Sequence, residues 1–155
     1  MLAVTEAELR RLLEEVAFTR SYGFRLQAIG DGRCTLEVPF RTAFERPGGI
    51  VSGQVFMAAA DVAMWLAIMT RLGSRDGSVT AGMTSAFLGA ARREPFRCTA
   101  QIVKLGRRLV FGVAESVGGS GRLLAHHSLT YARGSDSAPS RPARRVQMGP
   151  SRRPA

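Results

Sequence analysis

The stretch GQVFMAAADVAMWLAIM, residues 53–69, carries one ionisable side chain, Asp61, among almost wholly apolar neighbours. An unpaired carboxylate in an apolar interior is penalised by several kcal/mol even after relaxation. The usual rescue on a helix is a basic side chain three or four residues away. Here those positions hold Met57, Ala58, Met64 and Trp65. Asp61 therefore reaches water, or its position serves a purpose that offsets its cost. The stretch is apolar on nearly every side, which predicts a helix over about 53–71 that is buried all round. Ser52 is placed to cap its start. Ala58 to Ala60 and Ala63 offer a small-residue surface that a sheet can approach closely. The run is shorter than a bilayer span and holds a charge, so it is not expected to cross a membrane.

Upstream of this helix, RTAFERPGGIVSG (residues 41–53) is a loop punctuated by Pro47, Gly48, Gly49 and Gly53. Before it, FRLQAIG and RCTLEVPF read as two strands joined by a tight Asp-Gly turn. Cys34, Leu36, Val38 and Phe40 alternate with polar residues, so Cys34 faces the core. At the N-terminus Thr5 and Glu8 form a capping-box pattern, and Leu9, Leu12, Leu13, Val16 and Ala17 recur at helical spacing. A first helix is predicted over about 5–20, ending near Gly23. Downstream, strands are predicted near 78–88, 96–105, 108–117 and 122–132, with GGSG at 118–121 turning the last pair. Strands joined by short turns around one buried helix make an α+β domain with an antiparallel sheet. That domain covers residues 1–133, and residues 134–155 read as a disordered basic tail.

The 155 residues suit one domain with a substantial core, and 45% apolar with 22% charged residues is ordinary for a soluble globular chain. The net charge of +10 is uneven: six arginines against Asp136 from Arg133 onward supply half of it. Such a tail could touch nucleic acid or an anionic membrane nonspecifically. No nucleic-acid reading motif accompanies it, so no specific nucleic-acid partner is expected. Two cysteines without a CxxC pattern suit reduced thiols in the cytoplasm. MLAVTEAELRRLLEEV is interrupted by acids, so no signal peptide is expected there. His126 and His127 are adjacent on a strand and point to opposite faces, which argues against a metal site.

The order of elements looks like the hotdog fold, and RPGGIVSGQVFMAAAD (46–61) is similar to the PaaI-like acyl-CoA thioesterases. That family commonly shows Asn, a Gly three residues on, His-Gly-Gly, then an apolar stretch ending in Asp. Gly49, Gly53 and Asp61 match it; Arg46, Ser52 and Gln54 depart from the Asn, the His and the second Gly. TSAFLGAAR and KLGRRLVFGVAESVGGSGRLLAHHSLTYAR resemble its later strands, so the likeness spans roughly residues 22–133. The resemblance implies an antiparallel sheet wrapped around a long helix, and homodimers that can pair into tetramers. In such dimers the helix start of one subunit faces the Asp of the other. It implies hydrolysis of a small or medium acyl-CoA without a cofactor. The Gly53 N–H would polarise the thioester, Asp61 would act as general base or nucleophile, and Thr80 would lie near the attacking water. Thr80 also reads as an ordinary strand hydroxyl. Arg46, Ser52 and Gln54 would bind substrate, although Arg46 also reads as a solvated loop residue and Ser52 as a cap alone. Arg92, Arg93 and Arg107, with Lys104 and Arg108, would hold the phosphates of coenzyme A. Phe56, Met57, Met64 and Trp65 line or back an acyl tunnel. The three departures equally suit an acyl-CoA binder that has lost its chemistry.

Overall fold

The computed structural model describes residues 1–134. Thr5 opens α1 (Glu6–Glu15) with a complete capping box: its hydroxyl accepts from the Glu8 N–H, and the Glu8 carboxylate accepts from the Thr5 N–H. The expected single helix over 5–20 is two. At Val16 the backbone is extended (φ −74°, ψ 118°) before α2 (Ala17–Tyr22) begins. The buried Thr19 hydroxyl explains how the break is tolerated. It lies 2.8 Å from the Leu13 carbonyl, a group that a continuous helix would have satisfied from Ala17.

β1 (Arg25–Gly30) and β2 (Arg33–Val38) follow as a hairpin. The expected loop over 41–53 is more ordered than its breakers suggest. It holds a 3-10 turn at Thr42–Phe44 and a two-residue ladder between β3 (Glu45–Arg46) and β4 (Ile50–Val51). Next comes α3 (Gly53–Leu72), capped by Ser52, whose Oγ accepts from the Gln54 N–H at 3.4 Å. Four strands follow: β5 (Val79–Phe87), β6 (Phe96–Leu105), β7 (Leu109–Gly118) and β8 (Leu123–Ala132). These form one antiparallel sheet ordered β1-β2-β6-β7-β8-β5, so β5 crosses over to become an edge.

The sheet wraps α3, as the hotdog likeness implied. Ala59, Ala60, Ala63 and Ala67 are wholly buried, and their missing bulk lets helix and sheet approach. Gly112 on β7 serves the same end, because a Cβ there would run into the Met64 methyl group and lie 2.7 Å from the Gln101 carbonyl oxygen. Thr70 anchors the far end, accepting from the Gly32 N–H at 2.9 Å. At 20 residues and a mean hydropathy of 1.6, α3 is long and apolar enough to cross a bilayer, contrary to the shorter span expected from sequence. It is instead a core helix, most of its apolar stretch buried in the fold.

α3 is not buried all round. Gln54, Met57, Ala58, Asp61 and Trp65 form a more open stripe at helical spacing. β5, the neighbouring edge, is exposed along most of its length. Strand parity behaves as expected elsewhere. Cys34 is buried, His127 points inward with no exposed surface, and His126 points outward to Glu115 at 3.1 Å. The proposed basic tail lies outside the described residues, apart from Gly134.

Candidate active site

Asp61 lies on the open stripe, halfway along α3, facing the end of the sheet where β5 begins and β8 ends. Among the described residues no cation pairs with it. Two hydroxyls take that role. Thr80 Oγ1 donates to Asp61 Oδ1 at 2.6 Å. Tyr131 Oη lies 2.5 Å from the same oxygen and 2.7 Å from the Asp61 main-chain oxygen, so its single proton is shared. Thr80 is thus engaged with the carboxylate and is not an idle strand hydroxyl. Tyr131 is 2% exposed; that burial, and then the neighbouring Asp61 charge, push its pKa up. The carboxylate opens into a cavity of about 460 Å³ walled by Phe18, Val62, Trp65 and Val79. Here the charge on a greasy helix finds its explanation: hydroxyl donors behind it and space in front.

Gly53 is the first residue of α3. The first N–H groups of a helix have no intrahelical acceptor, and the helix dipole makes that end attractive to negative charge. Ser52 accepts from Gln54 through its hydroxyl and from Val55 through its carbonyl. Among the described residues nothing accepts from the Gly53 N–H. The Phe87 ring packs tightly over Gly53, 3.0 Å from where a Cβ would be. A cavity of about 530 Å³ opens there, lined by Arg46, Phe56 and Phe87. Arg46 also borders an adjoining cavity with Ser52, Gln54 and Phe18. Of the expected tunnel residues, Trp65 and Phe56 line cavities, Met57 stands open on the stripe, and Met64 is buried against the sheet.

Arg92 and Arg93 gather beside Gly48 and Gly49. Arg92 donates to the Gly48 carbonyl at 3.2 Å, and Arg93, in the left-handed region at φ 46°, pairs with Glu45 at 2.8 Å. Arg107 lies in the β6–β7 turn at the opposite end of the sheet, about 30 Å away by strand rise. Within one chain these arginines do not form one cluster, and Asp61 and Gly53 do not share one pocket. Among the described residues no group of His, Cys, Asp or Glu is assembled to hold a metal ion.

Tyr131 is the site residue that sequence reasoning missed. Its signal was its parity: it shares the inward face with His127 and Leu129, and a buried phenol needs a partner for its hydroxyl.

Comparison with known proteins identifies the family and the fold. The thioesterase superfamily matches residues 48–125, and the chain belongs to it. A protein of Saccharolobus solfataricus, provisionally named an esterase, is 30% identical over 125 residues, covering 81% of each chain. The conserved protein PA5202 of Pseudomonas aeruginosa superposes with a TM-score of 0.75 at 26% identity, over 83% of this chain and 99% of that one. The Escherichia coli PaaI protein shares the fold, with a TM-score of 0.74 over 81% of this chain and 89% of its own at 17% identity. The chain is a hotdog-fold protein of the thioesterase superfamily.

Proposed function

We propose that the chain hydrolyses the thioester of a small or medium acyl-CoA at a site assembled from two copies. The observation that carries this is the distance along α3. Gly53 and Asp61 are eight residues apart, about 12 Å by helical rise. The polariser must reach the thioester oxygen and the carboxylate the water attacking the adjoining carbon, each contact within about 3–3.5 Å. One helix cannot meet that requirement. Two chains placed antiparallel through the α3 stripe and the β5 edge can, by setting Asp61 of one against Gly53 of the other. The same pairing brings Arg46, Arg92 and Arg93 of one copy toward the end of its partner that holds Arg107, where together they would hold the coenzyme A phosphates. In hydrolysis, water oxygen bonds to the thioester carbon, the C–S bond breaks, and a carboxylic acid and free thiol leave. No cofactor is required. The free, buried Cys34 and Cys98 thiols suit a reducing cytoplasm.

The test uses two disabled variants. Asp61→Asn removes the base. Gly53→Pro removes the N–H at a first helical position; Ser52 already has the extended backbone that a following proline needs (φ −61°, ψ 141°), and the Phe87 ring, 3.0 Å from the new Cβ, must shift slightly to admit it. Asp61→Asn should abolish thiol release from an acyl-CoA panel, and Gly53→Pro should lower it about 100- to 1,000-fold. Co-refolded in equal amounts, the two should recover about a quarter of wild-type activity, since half the dimers are mixed and each mixed dimer has one intact site. No recovery, with mixed dimers shown to form, would refute the shared site.

Ser52 being engaged as a helix cap and Arg46 replacing the family's Asn favour a second reading, a non-catalytic acyl-CoA binder. Tight acyl-CoA binding with no turnover would select it.

A further inference from the structure

The two donors on Asp61 converge on one of its two carboxylate oxygens. A carboxylate oxygen offers about two lone pairs. Thr80 Oγ1 at 2.6 Å and Tyr131 Oη at 2.5 Å occupy both on Oδ1. No donor among the described residues reaches Oδ2. We infer that Oδ2 is the reacting oxygen and that Tyr131 is a positioning residue, holding Asp61 through Oδ1 so that Oδ2 faces the cavity. This rests on the reading of Asp61 as the group that acts on the thioester.

Tyr131 is suited to this work because it is itself immobile. Its ring is packed in the core on β8, and its hydroxyl bridges the side chain and the main-chain oxygen of one residue. That bridge restricts rotation about the Asp61 side-chain bonds. A carboxylate on the open face of a helix would otherwise sample several rotamers, only some aimed at substrate. Thr80, from the edge strand, braces the same oxygen from the outside. The two donors come from neighbouring strands, since Thr80 is paired with Tyr131 across β5 and β8. The sheet register therefore sets the orientation of a group on the helix. Burial keeps the phenol protonated, so the donor persists across the working pH range. Acting as a base, Oδ2 takes a proton from water as the water oxygen bonds to the carbonyl carbon. That proton then goes to the sulfur that departs when the C–S bond breaks.

The experiment is steady-state acyl-CoA hydrolysis, followed by thiol release, for the full chain and for Asp61→Asn, Tyr131→Phe, Thr80→Val and the double variant. Tyr131 presents almost no surface to a substrate, so losing its hydroxyl should lower kcat about 10- to 100-fold, as expected for a hydrogen bond to a charged group. KM should stay within about twofold. Thr80→Val should act in the same direction, and the double variant should fall further toward the Asp61→Asn floor. If Tyr131→Phe does not fold, Thr80→Val decides, because Thr80 is exposed and its loss leaves the core intact. An inactive Asp61→Asn beside Tyr131→Phe and Thr80→Val of wild-type kcat would overturn the positioning role alone. A loss confined to KM would overturn it too. An active Asp61→Asn, or a wild type without turnover, would overturn the underlying reading as well.

Discussion

Acid should destabilise this protein through His127 before it protonates most of the carboxylates. The imidazole has no exposed surface; its Nδ1 lies 2.7 Å from Ser85 Oγ, and its Nε2 is buried without a partner. Burial first, and the neighbouring His126 second, lower its pKa. With the hydrogen of the neutral ring on Nδ1, that N–H donates to Ser85 Oγ and Nε2 is a buried, uncharged acceptor without a partner. Protonation would force an N–H onto Nε2 with nothing to accept it, and would charge a desolvated ring. The unfolded chain therefore takes up this proton first, near pH 6.5. Stability supplied by neutral His127 is present above that pH and is lost as pH falls below it. The limiting slope is about 1.4 kcal/mol per pH unit until the folded ring also titrates. Urea unfolding at fixed protein concentration between pH 7.5 and 5.5 measures this. His127→Asn keeps a side-chain partner for Ser85 and cannot titrate, so its stability should fall less over that range. Parallel curves for the two proteins would refute the argument.

Two further outcomes concern packing and capping. Gly112→Ala should destabilise by about 1–3 kcal/mol, because the new methyl meets the Gln101 carbonyl, which is backbone and cannot swing away as Met64 can; thermal unfolding reads this directly. Thr5→Ala removes the hydroxyl that accepts from the Glu8 N–H, while the backbone N–H at this position still donates to the Glu8 carboxylate; it should cost about 1 kcal/mol, seen as faster hydrogen exchange in α1 than in the wild-type chain.

Much of the fold was legible in the chain because it rests on local patterns. The alternation of Cys34, Leu36 and Val38, the apolar run of α3, the Thr5–Glu8 cap and the glycine turns are each set by neighbours within a few residues. The hotdog likeness was readable from the order of elements, and Asp61 and Gly53 were picked out as candidates from residues 46–61. The break at Val16 was not, since Leu13 to Ala17 has sound helical spacing and the compensating bond depends on how Thr19 is buried.

From the order of its residues alone, the chain determined one buried helix, a set of antiparallel strands, and a carboxylate that no helical neighbour could neutralise. Only tertiary structure decided that β5 passes over to pair with β8, because strand order depends on contacts between residues far apart in sequence. That crossing sets Thr80 beside Tyr131 and both against Asp61, a meeting of three segments up to 70 residues apart that no local periodicity encodes.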